Sequence, residues 1–390
     1  MQKGCKMEII KQAREALNIL SENGYYAYVV GGCVRDSLLF SIPKDWDITT
    51  QATPNQILDC FLNYKTIETG LKYGTVTVII DEISIEITTY RIDGEYRDNR
   101  HPLGVLFTDE LKKDLSRRDF TMNAIAYNTE IVDYFCGVSD IKNKIIRTVG
   151  DPDKRFSEDA LRILRGIRFA SQLDFKIEEN TGKSIIKNKG LLKSISRERI
   201  NIELIKLLLG KNSYNVLIEY EEIIREIIPE IDSINRKMKS PENDIIISLA
   251  LLLWETESPE NILKNLKFDK NTINMVTKII KNKHVKNQKV ELKRLLNKLG
   301  EPIVRRLLKI EKHDERLLDE IIENKECYSL EALKLNGDDI KALGITDGKV
   351  VGEALNRILT LVIEEKIKND REICVNYLKN LEISGKTIDF

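Results

Sequence analysis

The strongest local pattern in the chain is VVGGCVRDSLLFSIPKDWDITT, residues 29–50. Asp45 and Asp47 stand two residues apart at the start of a β-type run, a spacing that puts both side chains on one strand face. Two carboxylates so placed repel each other unless a cation lies between them, and paired carboxylates with substrate phosphates are the usual holders of Mg²⁺. Glu86, in ISIEITTYR (83–91), is the natural third acid. Such a cluster suits two-metal phosphoryl chemistry, with one ion lowering the pKa of an attacking hydroxyl and both stabilising charge on an in-line pentavalent centre. A sugar hydroxyl fits as nucleophile. Gly31 and Gly32 let the backbone approach a triphosphate, the helix start that follows supplies amide donors, and Arg35 adds charge. Asp36 either orients Arg35 by a salt bridge or touches substrate. A D-x-D pair alone is a weak sign, because aspartates crowd solvated turns. The GG-x-V-R-D run before it and an acid on a later β-rich run give it weight.

The elements that must position these residues lie in the first part of the chain. YYAYVVGG (25–32) reads as a strand entering a glycine turn, and GTVTVIID (74–81) and ISIEITTYR as a hairpin with a two-residue connection. TPNQILDCFLNY reads as a helix with Thr53 as N-cap and Pro54 at its first position, and the N-terminal MQKGCKMEIIKQAREALNIL as an amphipathic helix. After about residue 155 helical periodicity dominates. The stretch RIDGEYRDNRHPLGVLFTDELKKD is polar and too long for an ordinary connection, which points to function.

With 390 residues the chain is expected to form two or more domains. Lys+Arg and Asp+Glu both number 62, so net charge gives no support to nucleic-acid binding, and an RNA partner would require locally clustered basic residues. Six scattered cysteines without a C-x-x-C pair argue against zinc ribbons and disulfide frameworks, and read as mostly buried thiols in a reducing compartment. No apolar run long enough to span a bilayer and no signal-peptide core are present, so a cytoplasmic protein with no membrane contact is expected.

GGCVRD, the Asp45/Asp47 pair, Glu86, SRRDFTMNAIAYN (116–128), EDALRILRGIRFA (158–170) and SRERINIEL (196–204) resemble, in order and approximate spacing, the class II CCA-adding tRNA nucleotidyltransferases. These belong to the poly(A) polymerase family of the DNA-polymerase-β-like superfamily. The resemblance covers nearly the whole chain and is strongest to about residue 210. It implies an α+β protein: an N-terminal nucleotidyltransferase head with a mixed β-sheet (1–147), then an all-helical neck with the nucleotide-recognition helix (148–210), body (211–320) and tail docking tRNA (321–390). It implies Mg²⁺-dependent addition of C, C and A from CTP and ATP to the tRNA 3′ end, with tRNA held at its 3′ end and elbow. By carry-over, Asp45 and Asp47 are the metal ligands, and Gly32, Arg35 and Arg118 contact the nucleotide. Asp159, Arg162, Arg165 and Arg168 handle the incoming nucleotide.

In SEDALRILRGIRFA the sequence predicts a helix opened by Ser157 as N-cap, with Asp159 and Arg162 as i,i+3 neighbours on one face. A carboxylate only accepts and a guanidinium only donates, so the pair demands a base edge with an amino donor beside a ring-nitrogen acceptor. Cytosine and adenine satisfy it. Uracil and guanine set like against like. Arg162, Arg165 and Arg168 step off one face, so Arg168 is expected to point away from Asp159 and either to reach phosphates or to tie the helix to its neighbours. Arg117 is read as meeting substrate, with a structural pairing to Asp119 as the alternative. Phe120, Met122 and Ala124 read as core, and Arg197, Glu198 and Arg199 as structural residues that close the site. RIDGEYRDNRHP resembles the family segment thought to help switch from C to A, with Asp98 and Arg100 as its candidates. The tail helix in LKLNGDDIKALGITDGKVVGEALNRIL is either tRNA-docking or bundle core, and the basic run 278–299 either RNA-facing or solvated. His101, His284 and His313 are too dispersed for a second, phosphohydrolase site. Alternatives are an A-adding enzyme, a bacterial poly(A) polymerase, disfavoured because LKYGTVTVIID stands where its signature belongs, and a noncatalytic RNA-binding protein. Monomer and dimer both remain open.

Overall fold

A computed structural model describes residues 7–94, 104–239 and 243–383. The chain divides into two compact units, residues 1–248 with 262–268 and residues 249–261 with 269–390.

The first unit carries the sheet. Its strands are β1 (Ala27–Val30), β2 (Trp46–Thr50), β3 (Lys65–Ile67), β4 (Thr75–Ile80), β5 (Ile83–Thr89), β6 (Arg91–Asp93), β7 (Val105–Phe107), β8 (Ile125–Tyr127) and β9 (Ile131–Asp133). Seven of them form one sheet in the order β3-β4-β5-β2-β1-β8-β9, while β6 and β7 pair with each other. β2 and β5 run parallel and the other neighbours antiparallel, so the sheet is mixed, as expected. The expected hairpin joins β4 to β5 through Asp81 and Glu82. Both have positive φ, 47° and 66°, the backbone whose twist matches that of the flanking strands.

Alternation decides which faces meet the core. Val76, Val78 and Ile80 of β4, Ile85 and Ile87 of β5, and Trp46 and Ile48 of β2 are buried. The side chains between them, Asp47 and Glu86 included, point to the opposite face. Helix α1 (Lys11–Glu22) buries Ala13, Ala16, Leu17 and Leu20, a single stripe that packs against β1 and β5. Helix α2 (Gly32–Leu38) follows β1 directly, and α3 (Pro54–Cys60) opens as expected on Thr53, whose N–H donates to the Gln56 carbonyl of the side-chain amide at 2.9 Å.

Beyond that sheet the unit is mainly helical, its helices including α4 (Leu111–Ser116), α5 (Gly137–Lys142), α6 (Pro152–Glu158), α7 (Leu161–Leu173), α8 (Glu179–Lys187) and α9 (Arg197–Leu208), and two further short strands, Ile145–Ile146 and Lys176–Ile177, pair in parallel. α7 packs closely on α9. Ser171 Oγ donates to the Leu207 carbonyl at 2.6 Å, and a Cβ on Gly210 would fall 2.0 Å from that hydroxyl, so only glycine fits there.

The second unit is helical in its described residues. Its core gathers Leu335, Ile340, Ala354, Ile358, Cys374 and Leu378. The helix Gly348–Ile363 buries Val351, Ala354, Ile358, Leu359, Val362 and Ile363, so its apolar residues are bundle core. Within the basic run, Lys289 and Lys293 both meet Glu326 at 2.6 Å. Cys33, Cys327 and Cys374 are buried, whereas Cys136 is exposed. No described helix is long and apolar enough to cross a membrane.

Candidate active site

The glycine turn opens the site. Gly31 has φ 82° and ψ −128°, and a Cβ there would lie 3.3 Å from Arg118 Nη1, so a side chain would be strained in backbone and would press on an arginine. Its N–H donates to the Ile125 carbonyl at 3.3 Å, which ties the turn to β8. One turn into α2, Arg35 donates to Asp36 Oδ1 from Nε (2.9 Å) and Nη2 (2.7 Å), and from Nη1 to Asn123 Oδ1 at 2.8 Å. The salt bridge that one reading of Asp36 requires is formed.

The polar network continues from there. Asn123 Nδ2 donates to Asp119 Oδ1 at 3.0 Å, and Arg165 donates to Asp119 Oδ2 from Nε at 2.8 Å and Nη2 at 2.6 Å. This corrects the pairing of Asp119 with Arg117. Arg117 and Arg118 instead share Asp114, which is fully buried and also accepts from Thr49 Oγ1 at 3.1 Å. The reason is helical spacing: Asp114 lies three and four residues before the two arginines at the end of α4, whereas Asp119 sits beyond the helix and faces α7. Burial alone would push both carboxyls up, but the guanidiniums beside them, Arg165 for Asp119 and Arg118 with Arg117 for Asp114, hold both below the usual carboxylate range.

Asp47 lies in β2 opposite Glu86 of β5, in register across the parallel pair, and Asp45 is exposed just before β2. Burial, then Glu86, and more weakly Asp45 push the Asp47 carboxyl up to about 6, with Arg118 opposing. A carboxylate whose ionisation is resisted by two acidic neighbours gains from a bound cation. The donor set therefore fits a hard divalent ion completed by phosphate and water oxygens. Among the described residues no three His, Cys, Asp or Glu side chains form a ready-made cage for a metal.

Asp47, Gly31 and Gly32 line a cavity of about 420 Å³. Asp45 and Glu86 are not among its lining residues. Its wall also carries six arginines, Arg35, Arg117, Arg118, Arg162, Arg165 and Arg168, against three aspartates, Asp47, Asp119 and Asp159. Asp36, Asp114, Glu158 and Glu203 also partner these arginines, so the wall offers a polyphosphate a set of held guanidinium donors.

The recognition segment differs from its predicted form. Ser157 does not open a helix. It lies in the last turn of α6, its Oγ bonded to the Lys154 carbonyl at 2.8 Å, and α6 is capped instead by Asp151, which accepts from the Asp153 N–H at 3.0 Å. The chain breaks at Asp159 (φ −139°, ψ 102°) before α7. Asp159 Oδ1 accepts from the Leu161 N–H at 3.1 Å, and Arg199 reaches both its oxygens from α9. Asp159 and Arg162 are thus not an intrahelical pair. Arg162 donates to Glu158 Oε2 at 2.8 Å and to the carbonyls of Arg155 (3.2 Å) and Arg117 (2.9 Å). Both nevertheless line the same cavity.

Arg168 lines it too and ties α7 to Glu203 of α9, the second of its two expected roles. Its Nε lies 2.9 Å from Glu203 Oε2 without being aimed along a hydrogen bond. Burial pulls its pKa down to about 10 despite Glu203. The residue that sequence reasoning missed is Phe169. Its ring carries Arg168 at 3.8 Å, Arg35 at 5.0 Å and Arg165 at 5.5 Å from the centroid, and meets Phe120 edge-on at 5.8 Å. The one available signal was an aromatic next to the last arginine of R-x-x-R-x-x-R. Arg197 donates to the Ile227 carbonyl at 3.1 Å. Asp98 and Arg100 lie outside the described residues.

Residues 27–147 match the poly(A) polymerase head domain family, 174–235 the family described as "Probable RNA and SrmB- binding site of polymerase A", and 239–378 tRNA nucleotidyltransferase domain 2. The chain is 35% identical to the CCA-adding enzyme of Enterococcus faecalis, covering 96% of this chain and 97% of that protein. It is 36% identical to that of Ligilactobacillus salivarius, covering 95% and 96%. In fold it is similar to the Bacillus stearothermophilus CCA-adding enzyme solved in complex with CTP, with TM-score 0.79, 29% identity, and coverage of 96% and 98%.

Proposed function

The chain belongs to the CCA-adding tRNA nucleotidyltransferases, and from that premise we propose how its own residues carry out the addition of C, C and A from CTP and ATP. What carries the reading is that one cavity is lined both by Asp47 and by Asp159, Arg162 and the arginine wall. The terminal 3′-hydroxyl of tRNA attacks the α-phosphorus of the nucleotide. A new phosphodiester forms, the bond to the β-phosphate oxygen breaks, and pyrophosphate leaves.

Arg35, Arg118, Arg165 and Arg168 neutralise the triphosphate, while Gly31 and Gly32 let backbone amides approach it. Asp45, Asp47 and Glu86 would hold Mg²⁺, which when bound lowers the pKa of the attacking hydroxyl and stabilises charge on the phosphorus. Asp159 accepts from the exocyclic amino group of cytosine or adenine, and Arg162 donates to the adjacent ring nitrogen. With uracil or guanine the carboxylate faces a carbonyl oxygen and the guanidinium faces an N–H, so both protein groups lose their partners. Residues 1–147 then serve as head, 148–210 as neck, 211–320 as body and 321–390 as tail.

The test is incubation of tRNA transcripts ending before, within and after CC with CTP alone, ATP alone or both. CTP incorporation onto the transcript lacking CCA, followed by one A, is expected. Extension of only the CC-ending transcript by a single A would make the protein an A-adding enzyme, and runs of A on unrelated RNA a poly(A) polymerase. Arg162→Ala should admit UTP, and unchanged rejection of UTP would refute its role in base choice.

A further inference from the structure

Phe40 and Ile42 are the two most exposed large apolar side chains among the described residues, at 93% and 94%. They stand two apart in the connection between α2 and β2, directly before the acids. Phe40 is also strained. α2 ends in a pair of bonds, Phe40 N–H to the Ser37 carbonyl at 3.1 Å and Ser41 N–H to the Asp36 carbonyl at 2.9 Å. That pattern seats the residue after the C-cap in the left-handed region, where glycine is the usual occupant. Phe40 holds it with φ 56°. A bulky aromatic pays a steric penalty there and recovers nothing by burial. Lys44, next to Asp45, is exposed as well.

We propose that Phe40, Ile42 and Lys44 seat the 3′-terminal nucleotide of the tRNA primer. The terminal base lies on Phe40 with Ile42 at its flank, and Lys44 meets the adjoining phosphate. The inference rests on the functional reading above and names the primer side of the same site. Continuity supports this occupant: the five residues from Phe40 to Asp45 span at most about 17 Å, within reach of one nucleotide and its neighbour, and the reaction requires a single-stranded end with a ribose hydroxyl at those acids. An aromatic platform beside a cation is the usual grip on single-stranded nucleic acid. Stacking also meets a demand that hydrogen-bond readout does not. The primer ends in the tRNA's own last base in the first round and in cytosine in the next two, and a π-face accepts either.

The experiment pairs the side chain with the base. Primer KM and kcat are measured at saturating CTP for wild type, Phe40→Gly and Phe40→Trp, on a transcript with an intact 3′-terminal nucleotide and on one whose terminal ribose is abasic. In wild type the abasic end is expected to raise primer KM about tenfold, the scale of one lost stacking contact. Phe40→Gly should raise KM by a similar factor on the intact primer and add nothing on the abasic one. Phe40→Trp should stay close to wild type, and the KM for CTP should not move. Because glycine suits the left-handed seat, Phe40→Gly should unfold at or above the wild-type temperature, a split that a merely structural residue would not give. Independent, multiplying penalties in Phe40→Gly would overturn the inference while leaving normal CCA addition by wild type untouched. A wild-type dimer that Phe40→Gly converts to monomer would assign the patch to a second copy of the chain and overturn it as well. Wild type that extends no transcript would sink the functional reading, and this one with it.

Discussion

Arg199 on α9 grips Asp159 in the break between α6 and α7, its Nη2 lying 3.2 Å from Oδ1 and 2.9 Å from Oδ2. The carboxylate assigned to read the base edge is thus held from another helix. Arg199→Met should free Asp159 to rotate and raise UTP use relative to CTP about tenfold, the scale of one unmet buried hydrogen bond. Arg199→Lys should recover part of the selectivity. An unchanged CTP/UTP ratio of kcat/KM in Arg199→Met would reduce Arg199 to a tie between helices.

Phe169 gathers three guanidiniums that would otherwise repel one another. Phe169→Leu keeps most of the volume and loses the π-face. It should raise KM for CTP and ATP by the same factor, about tenfold, from contacts worth roughly 0.5–2 kcal/mol each. Discrimination against UTP should hold, since the triphosphate and not the base is affected. Phe169→Tyr should restore both KM values. Steady-state kinetics with the two nucleotides decides it, and a change in CTP without ATP would refute the platform.

Acid should unfold the first unit through Asp119. Its folded pKa lies below the unfolded value because Arg165 and Asn123 outweigh burial. The native state therefore binds fewer protons, so this stabilisation is present above about pH 4 and is lost as pH falls below it. Urea midpoints measured from pH 6 to pH 3 should fall steeply. Asp119→Asn should begin about 3 kcal/mol less stable, from a broken buried pair, and should fall less over the same range. Parallel curves for the two proteins would refute the assignment.

Asp47→Asn should abolish incorporation yet stabilise the free protein at pH 7. Burial and Glu86 raise the folded pKa of Asp47 to about 6, so its charge opposes folding above that pH. Removing the charge should relieve about 1–2 kcal/mol once solvent access is allowed for, seen as a higher melting temperature, with tRNA affinity kept. A lower melting temperature for the variant would show that the carboxylate already has a partner that compensates its burial.

What could be read along the chain was local. The Asp81–Glu82 turn and the glycine opening of α2 follow from short-range sterics, which act between residues close in sequence, whereas Asp47 meets Glu86 only through the pairing of β2 with β5. The helix start at Ser157 failed for the same reason in reverse. Its capping pattern is locally sound, but Asp151 with Pro152 opens a helix earlier, and the next turn is broken where Arg199 captures Asp159.

Pattern along the chain was enough for the strand-turn-helix that precedes Asp45 and Asp47, for the mixed α+β order and for the family. The folded packing sets which carboxylate each arginine holds: Asp114 for Arg117 and Arg118, Asp119 for Arg165, Glu158 for Arg162 and Asp159 for Arg199. It also decided that Phe169 lies beneath three guanidiniums and that Phe40 stands in solvent. A long charged side chain can reach many partners that differ by about 1 kcal/mol or less on the surface. Packing chooses among them, by fixing which groups lose water together.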